Sequence, residues 1–142
     1  CSFGVNKKGG KNAEAVVSLD PALVADFEFR RKRAGQLLCK GRYAAVQILA
    51  YLESGIWRRN AERANRLAAR IAAAAPQWLS EPIATNQVFM KLGEERIGAL
   101  SKEFGFYPWG PAGSGECRFV CSWDTPEEDV DALCAALVTP GT

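Results

Sequence analysis

A long stretch of helix-forming residues, 56–75, most constrains how this chain can fold. The stretch is rich in alanine and arginine, which are both strong helix formers. Its apolar residues recur at helical spacing on one side: Ile56, Ala64, Leu67, Ala68 and Ile71. Its charged residues fall on the other side: Arg58, Arg59, Glu62, Arg66 and Arg70. The sequence therefore predicts a long amphipathic helix that Pro76 ends, with a different hydrophobic period after it.

Upstream of this helix, the pattern predicts a Gly- and Lys-rich loop over 1–12, with a short strand at its start. A short apolar run predicts a strand over 15–19, and two further helices are predicted over 21–34 and 40–53. Asp20 and Pro21 provide a cap and a first-turn proline for the first of these helices. Its apolar residues are expected to turn inward: Leu23, Val24 and Phe27.

Downstream of Pro76, strand-like segments alternate with helical ones. Strands are predicted to begin at Trp78 and to cover 87–92, 106–109 and 117–123, and a helix is predicted over 94–104. A final helix starts at the Asp-Thr-Pro-Glu-Glu segment, with an inner stripe of Val130, Leu133, Cys134 and Leu137. The predicted fold class is α+β, with helices packed on one face of a small sheet and a weak boundary near Pro76.

Composition narrows the class of protein. The chain has 142 residues, of which 48% are hydrophobic, and a net charge of only +2. These values favour a globular domain, and charge alone indicates neither a nucleic-acid nor a membrane partner. No apolar run reaches the roughly 20 residues that cross a bilayer. Because the chain begins with Cys1 and not with Met, we interpret it as a fragment, with a processed chain as the alternative.

The five cysteines are scattered and odd in number, form no CxxC motif, and are accompanied by no histidine. A disulfide framework and a metal site are therefore both disfavoured. Cys117 and Cys121 share a face of a predicted strand, which indicates structural packing. Free thiols also favour a reducing compartment, and we expect a cytoplasmic protein.

A lysine in the loop after the first strand is a candidate for covalent attachment to a cofactor. That chemistry needs an amine that can be neutral and a flexible loop. Ser2, Phe3 and Gly4 stand shortly before Lys7 and Lys8 in a Gly-rich segment. Backbone N–H groups and a nearby hydroxyl could hold a phosphate. From spacing alone, a solvated basic loop is the alternative.

Several motifs occur in an order and spacing that resemble the low-specificity L-threonine aldolases, which are fold-type I enzymes dependent on pyridoxal 5'-phosphate (PLP). Besides Ser-Phe-Gly at 2–4, they include Ala-Glu-Ala-Val-Val at 13–17, Asp-Pro at 20–21, Asp-Phe-Glu-Phe-Arg-Arg-Lys-Arg-Ala-Gly-Gln at 26–36, Asn-Gln-Val-Phe at 86–89, Phe-Tyr-Pro-Trp at 106–109 and Arg-Phe-Val-Cys-Ser-Trp at 118–123. The resemblance covers nearly the whole chain.

The resemblance implies the C-terminal part of such an enzyme, beginning just before the cofactor lysine. Residues 1–76 would end the large PLP-binding domain and supply connecting helices, and residues 77–142 would form a small α+β domain. The implied reaction cleaves β-hydroxy-α-amino acids such as threonine to glycine and an aldehyde. A homo-oligomer, a tetramer in this family, is also implied, and the isolated chain is expected to be inactive.

The resemblance also implies roles for particular residues. Lys7 would bind PLP covalently, with Lys8 and Lys11 left open because two lysines are adjacent and a third follows. Arg42 would approach the cofactor phosphate, and Ser2 could add a hydroxyl to the site.

Arg118 is the predicted substrate-binding residue. In the predicted strand it alternates with Cys117 and Phe119 and so faces the other way. A guanidinium in an apolar strand needs a partner and offers a fork that matches a carboxylate. The resemblance implies that Arg118 holds the carboxylate of the amino-acid substrate, and a structural salt bridge is the alternative.

Three other functions remain open on the sequence. A related PLP-dependent β-eliminating lyase would share the fold and the lysine loop. A basic binding module would use residues 30–33, although the near-neutral charge counts against nucleic acid. An assembly domain would bind no ligand.

Overall fold

The computed structural model describes residues 1–5 and 8–139. The chain forms two compact units, Cys1–Arg59 and Asn60–Thr142. The division falls within the long helix and not at Pro76. The assignment of 1–76 and 77–142 to a large and a small domain of an enzyme stays a prediction.

The first unit combines a two-stranded sheet with short helices. Strands β1 (Ser2–Gly4) and β2 (Glu14–Val16) pair antiparallel. A 3-10 turn (Pro21–Val24), whose first turn is capped by the Asp20 carboxylate, precedes helix α1 (Phe27–Arg33). Helix α2 (Arg42–Glu53) completes the unit before the long helix begins.

The core of the first unit is small. Val5, Ala13 and Tyr51 are its buried residues, and Phe3, Ala44 and Ile48 pack around them. Helix α1 buries no residue at all. The expectation that Leu23 turns inward is wrong, because its side chain is 79% exposed. The chain forms a 3-10 turn there and the α-helix begins only at Phe27, so the predicted apolar residues do not share one α-helical face.

The second unit contains most of the long helix and a three-stranded antiparallel sheet. Helix α3 spans Ile56–Ala74, and a 3-10 turn (Pro76–Trp78) follows it. The sheet order is β3 (Gln87–Lys91), β5 (Glu116–Val120) and β4 (Tyr107–Trp109), so β5 is central. Helices α4 (Glu94–Leu100) and α5 (Glu127–Val138) complete the α+β arrangement. The strand expected at Trp78 is reduced to one isolated bridge, between Leu79 and Met90.

The second core is built from one face of the sheet and the apolar sides of α3 and α5. The buried residues of α3 include Leu67 and Ile71, as its spacing predicts. In β5, Cys117 and Phe119 are buried, whereas Arg118 between them lies on the opposite face. The stripe predicted for α5 also faces this core, with Leu137 among its fully buried residues.

Arginines fix both ends of α5. Arg63 of α3 donates a 2.8 Å hydrogen bond to the carbonyl of Thr125, and Arg70 pairs with Glu127 and Asp131 in the first turns of α5. At the other end, Arg96 of α4 donates to the carbonyls of Leu137, in the last turn of α5, and of Thr139, at a helix end where carbonyls lack intrahelical donors.

The buried thiols behave as core residues. Burial raises the pKa of Cys117 to about 12 and that of Cys121 to about 11. Among the described residues, no group of three cysteine, aspartate or glutamate side chains is arranged to hold a metal ion. Within the same residues, none of the helices is both long enough and apolar enough to cross a membrane.

We expect Leu67→Ala to destabilise the second unit by about 2–5 kcal/mol, because it leaves a cavity beneath the sheet. Urea unfolding followed by circular dichroism measures this free energy. Arg66→Ala, an exposed position on the same helix, is the control and should change stability by less than about 0.5 kcal/mol. Equal effects of the two variants would contradict the burial described for Leu67.

The raised thiol pKa values predict a stability that falls in alkali. The unfolded thiol of Cys117 loses its proton near its ordinary pKa of 9.0, whereas the folded one keeps it to about 12. Stability is therefore fully present below that ordinary pKa and is lost as pH rises through the interval. Between these two pKa values, Cys117→Ala should reduce the fall of the unfolding free energy by roughly 1 kcal/mol per pH unit. Urea unfolding at a series of pH values measures this slope. An unchanged slope would contradict the assignment.

Candidate active site

The lysine loop connects β1 to β2, and the structure describes it up to residue 5 and again from residue 8. Asn6 and Lys7 lie outside the described residues, so the predicted cofactor lysine receives no structural account. Val5 precedes them and is fully buried. Lys8 follows them, and its ammonium lies 5.3 Å from the centre of the Phe3 ring.

One buried residue closes this loop. The Val5 N–H donates to the Ala13 carbonyl at 3.2 Å. The Val5 carbonyl accepts from the N–H groups of Lys8 at 3.0 Å and Gly10 at 2.9 Å. Asn12 adopts a left-handed backbone, with φ of 52°, just before the chain returns to β2. The described residues on both sides of the loop are therefore tied to the buried Val5.

The far side of the loop is bonded to α2. The Lys11 N–H donates to the side-chain oxygen of Gln47 at 3.1 Å, and the Gln47 amide donates in turn to the Tyr43 carbonyl at 3.0 Å. Helix α2 thus supports the loop through a polar contact as well as through Tyr51 in the core.

The other two site residues predicted in the first unit are exposed. Ser2 begins β1 opposite Val16, and Arg42 begins α2 with its guanidinium carbon 5.1 Å from the Tyr43 ring. Their assignment to the site stays a prediction.

Arg118 belongs to the second unit, on the central strand. Its neighbours across the sheet are Phe89 on β3 and Tyr107 on β4. The guanidinium carbon lies 5.5 Å from the centre of the Tyr107 ring and 4.7 Å from that of Trp109. Phe89 and Trp109 in turn pack together, with ring centres 5.4 Å apart. The charged group therefore stands in an aromatic surround on the face of the sheet opposite the core.

The Arg118 guanidinium is a cation without an acidic partner within the described part of the chain. No carboxylate there forms an ion pair with it. Its Nε is buried and makes no hydrogen bond. The Arg118 residue as a whole is partly exposed, and its two Nη atoms are not among the buried atoms without a partner. This arrangement can accept an anion from outside, and a carboxylate matches the paired Nη donors best.

The aromatic neighbours of Arg118 are not evident from motif spacing alone. Tyr107 and Trp109 alternate with Phe106 and Pro108, so a period of two assigns them to one face of their strand. That signal does not tell which strand pairs with β4 or in which register. Only the observed pairing of Tyr107 with Arg118 joins them into one site.

The fold of this chain is similar to that of part of a solved structure. The chain superposes on the threonine aldolase of Leishmania major with a TM-score of 0.78 and 27% sequence identity, over 87% of this chain and 38% of that one. The α+β prediction is confirmed, and the chain has the fold of part of a fold-type I PLP enzyme. No family model matches the sequence.

Sequence relatives define the kind of enzyme more closely. A low specificity L-threonine aldolase of a Pseudomonas strain is 38% identical over 138 residues, and one of Pseudomonas aeruginosa is 39% identical over 136 residues. These matches cover 94% and 92% of this chain but 39% of each relative. Over nearly all of its length, the chain is therefore related to a part of the low-specificity L-threonine aldolases. The resemblance stated from its motifs is confirmed.

Two glycines at the base of the loop provide a matched test of the Val5 anchor. A Cβ on Gly10 would lie 2.6 Å from Cγ2 of the buried Val5, whereas a Cβ on Gly4 would meet the mobile end of Glu14 at 2.5 Å. We expect Gly10→Ala to weaken hydrogen-exchange protection of the Lys8 and residue-10 amides by about tenfold or more, whereas Gly4→Ala has little effect because Glu14 can rotate away. Similar protection in both variants would contradict the anchoring role of Val5.

Proposed function

We propose that the chain forms part of a PLP-dependent aldolase that cleaves β-hydroxy-α-amino acids, such as threonine, to glycine and an aldehyde. The observation that carries this proposal is Arg118, a partly exposed guanidinium without an acidic partner in the described part of a chain related to threonine aldolases. The chain spans 39% of the length of those relatives. The complete reaction therefore needs groups from the rest of such an enzyme.

The described part of the lysine loop fits a covalently held cofactor. Val5 anchors the chain on either side of Lys7, and Gly10 lies so close to Val5 that a side chain there would collide with it. Lys7 would hold PLP through its amine, and Ser2 and Arg42 would contribute a hydroxyl and a cation near the phosphate. When bound, PLP supplies the electron sink for cleavage of the carbon–carbon bond.

Arg118 would orient the substrate. Its paired Nη donors bind both oxygens of a carboxylate, which fixes rotation about the bond between that group and Cα. A fixed Cα allows the bond to Cβ to be held in the orientation required for cleavage. A base must also remove the proton of the β-hydroxyl. The sequence contains no histidine, so we assign that base, and the acid that pairs with the pyridine nitrogen, to the remaining part of such an enzyme.

We further propose that the enzyme is a homo-oligomer and that it acts in the cytoplasm. The family that the chain resembles implies a tetramer. The outer side of α2 supports assembly, because Tyr43, Val46 and Leu49 are all more than half exposed. Apolar residues on both sides of a helix are typical of one that is covered in the intact protein.

The proposal predicts a PLP adduct on Lys7. The test replaces the matched segment of the Pseudomonas aeruginosa relative with this chain, adds PLP, reduces with borohydride and maps the labelled peptide by mass spectrometry. We expect a visible absorption band before reduction, the label on Lys7, and loss of both in a Lys7→Ala variant. Lys8→Ala and Lys11→Ala are the matched controls and should keep the label.

The products of the same chimaera discriminate the reaction. Glycine and an aldehyde from threonine are expected, and the 142-residue chain by itself should form neither. Pyruvate and ammonia from serine would instead indicate a β-eliminating lyase. A chimaera that folds but carries no label on any of the three lysines would contradict the cofactor assignment.

A further inference from the structure

Aromatic side chains border the Arg118 guanidinium on the outer face of the described sheet. Phe89 and Tyr107 stand opposite Arg118 on the two outer strands, and Trp109 follows on β4. Trp109 contacts both the guanidinium, at 4.7 Å, and the Phe89 ring, at 5.4 Å. Strand pairing fixes the backbone of all three aromatic residues, so the rings border Arg118 from a rigid support.

We propose that Tyr107 and Trp109 are positioning residues that keep the Arg118 guanidinium in one orientation, with its Nη atoms open to a substrate carboxylate. This inference rests on the proposed function, which assigns carboxylate binding to Arg118. The aromatic pair would act only through that arginine.

The rings are the interaction that remains to order this side chain. Arg118 makes no ion pair within the described residues, and its Nε has no hydrogen-bond partner. A long arginine side chain otherwise loses considerable rotamer freedom when it binds a ligand. A guanidinium already stacked on aromatic rings has lost that freedom beforehand, so carboxylate binding is favoured.

The burial of Nε also sets how the carboxylate approaches. Because Nε is shielded from solvent, a carboxylate can reach only the end of the guanidinium formed by the two Nη atoms. The aromatic surround thus restricts both the motion of the cation and the face that it offers.

The two rings are expected to contribute unequally. Trp109 is nearer to the guanidinium than Tyr107, and its side chain is less exposed, at 44% against 64%. Tryptophan also attracts cations more strongly than tyrosine or phenylalanine. Substitution of Trp109 should therefore have the larger effect.

The test uses the 142-residue chain labelled with ¹⁵N on its arginines. The Nε–H resonance of Arg118 is assigned by its loss in Arg118→Lys, and its line shape reports rotation of the guanidinium. Glycine is the carboxylate probe, and glycinamide is the matched probe without a carboxylate. The variants are Trp109→Leu, Trp109→Phe and Tyr107→Leu. Trp123→Leu is the control, because Trp123 is similarly exposed, at 38%, and makes no ring contact with Arg118.

In the unsubstituted chain we expect the Arg118 resonance to shift with glycine but not with glycinamide. Trp109→Leu should speed rotation of the guanidinium and weaken glycine binding roughly two- to fivefold. Tyr107→Leu should do so by less, and Trp109→Phe should fall between Trp109→Leu and the unsubstituted chain. Trp123→Leu should change neither quantity.

Unchanged rotation and unchanged glycine affinity in both leucine variants would overturn the positioning role, although glycine binding at Arg118 would still support the proposed function. An Arg118 resonance that never responds to glycine would overturn the carboxylate assignment and, with it, this inference. Circular dichroism shows whether Trp109→Leu folds. If it does not, the Tyr107→Leu and Trp109→Phe variants decide the question by guanidinium rotation and glycine affinity.

Discussion

Burial of one face of β5 is the interaction on which the rest of the second unit depends. Cys117 and Phe119 pack inward among residues of α3 and α5, and the pleat of the strand then forces Arg118 outward. Because β5 is central, its partners on both sides deliver aromatic residues to that outer face. The candidate carboxylate site is thus a direct consequence of how the core is packed.

The elements with a strong hydrophobic period could be predicted closely from the sequence. The long helix was expected over 56–75 and spans Ile56–Ala74, with Leu67 and Ile71 buried as predicted. The alternation around Arg118 also follows from residue types alone. Both signals are local, because a helix face or a strand face is set by residues close in sequence.

The parts that could not be predicted depend on contacts between distant segments. Leu23 looked like a helix-core residue, but a 3-10 turn at Pro21–Val24 leaves it exposed. The register that joins Tyr107 to Arg118 spans a loop with several glycines and has no signature in either strand. The motif resemblance anticipated Arg118 but gave no reason for its aromatic neighbours. Lys7, the residue on which the cofactor proposal depends, lies outside the described residues and stays a prediction.

The most direct test of the account is whether Arg118 binds the carboxylate of the substrate. The measurement compares kcat/KM for threonine and for threoninamide, which lacks the carboxylate, in the chimaeric enzyme and in its Arg118→Lys variant. The account predicts that the substitution lowers kcat/KM for threonine by about tenfold or more, as expected for a lost charge-assisted fork, and has little effect on threoninamide. Equal losses for the two substrates would contradict the role of Arg118 as the carboxylate receptor.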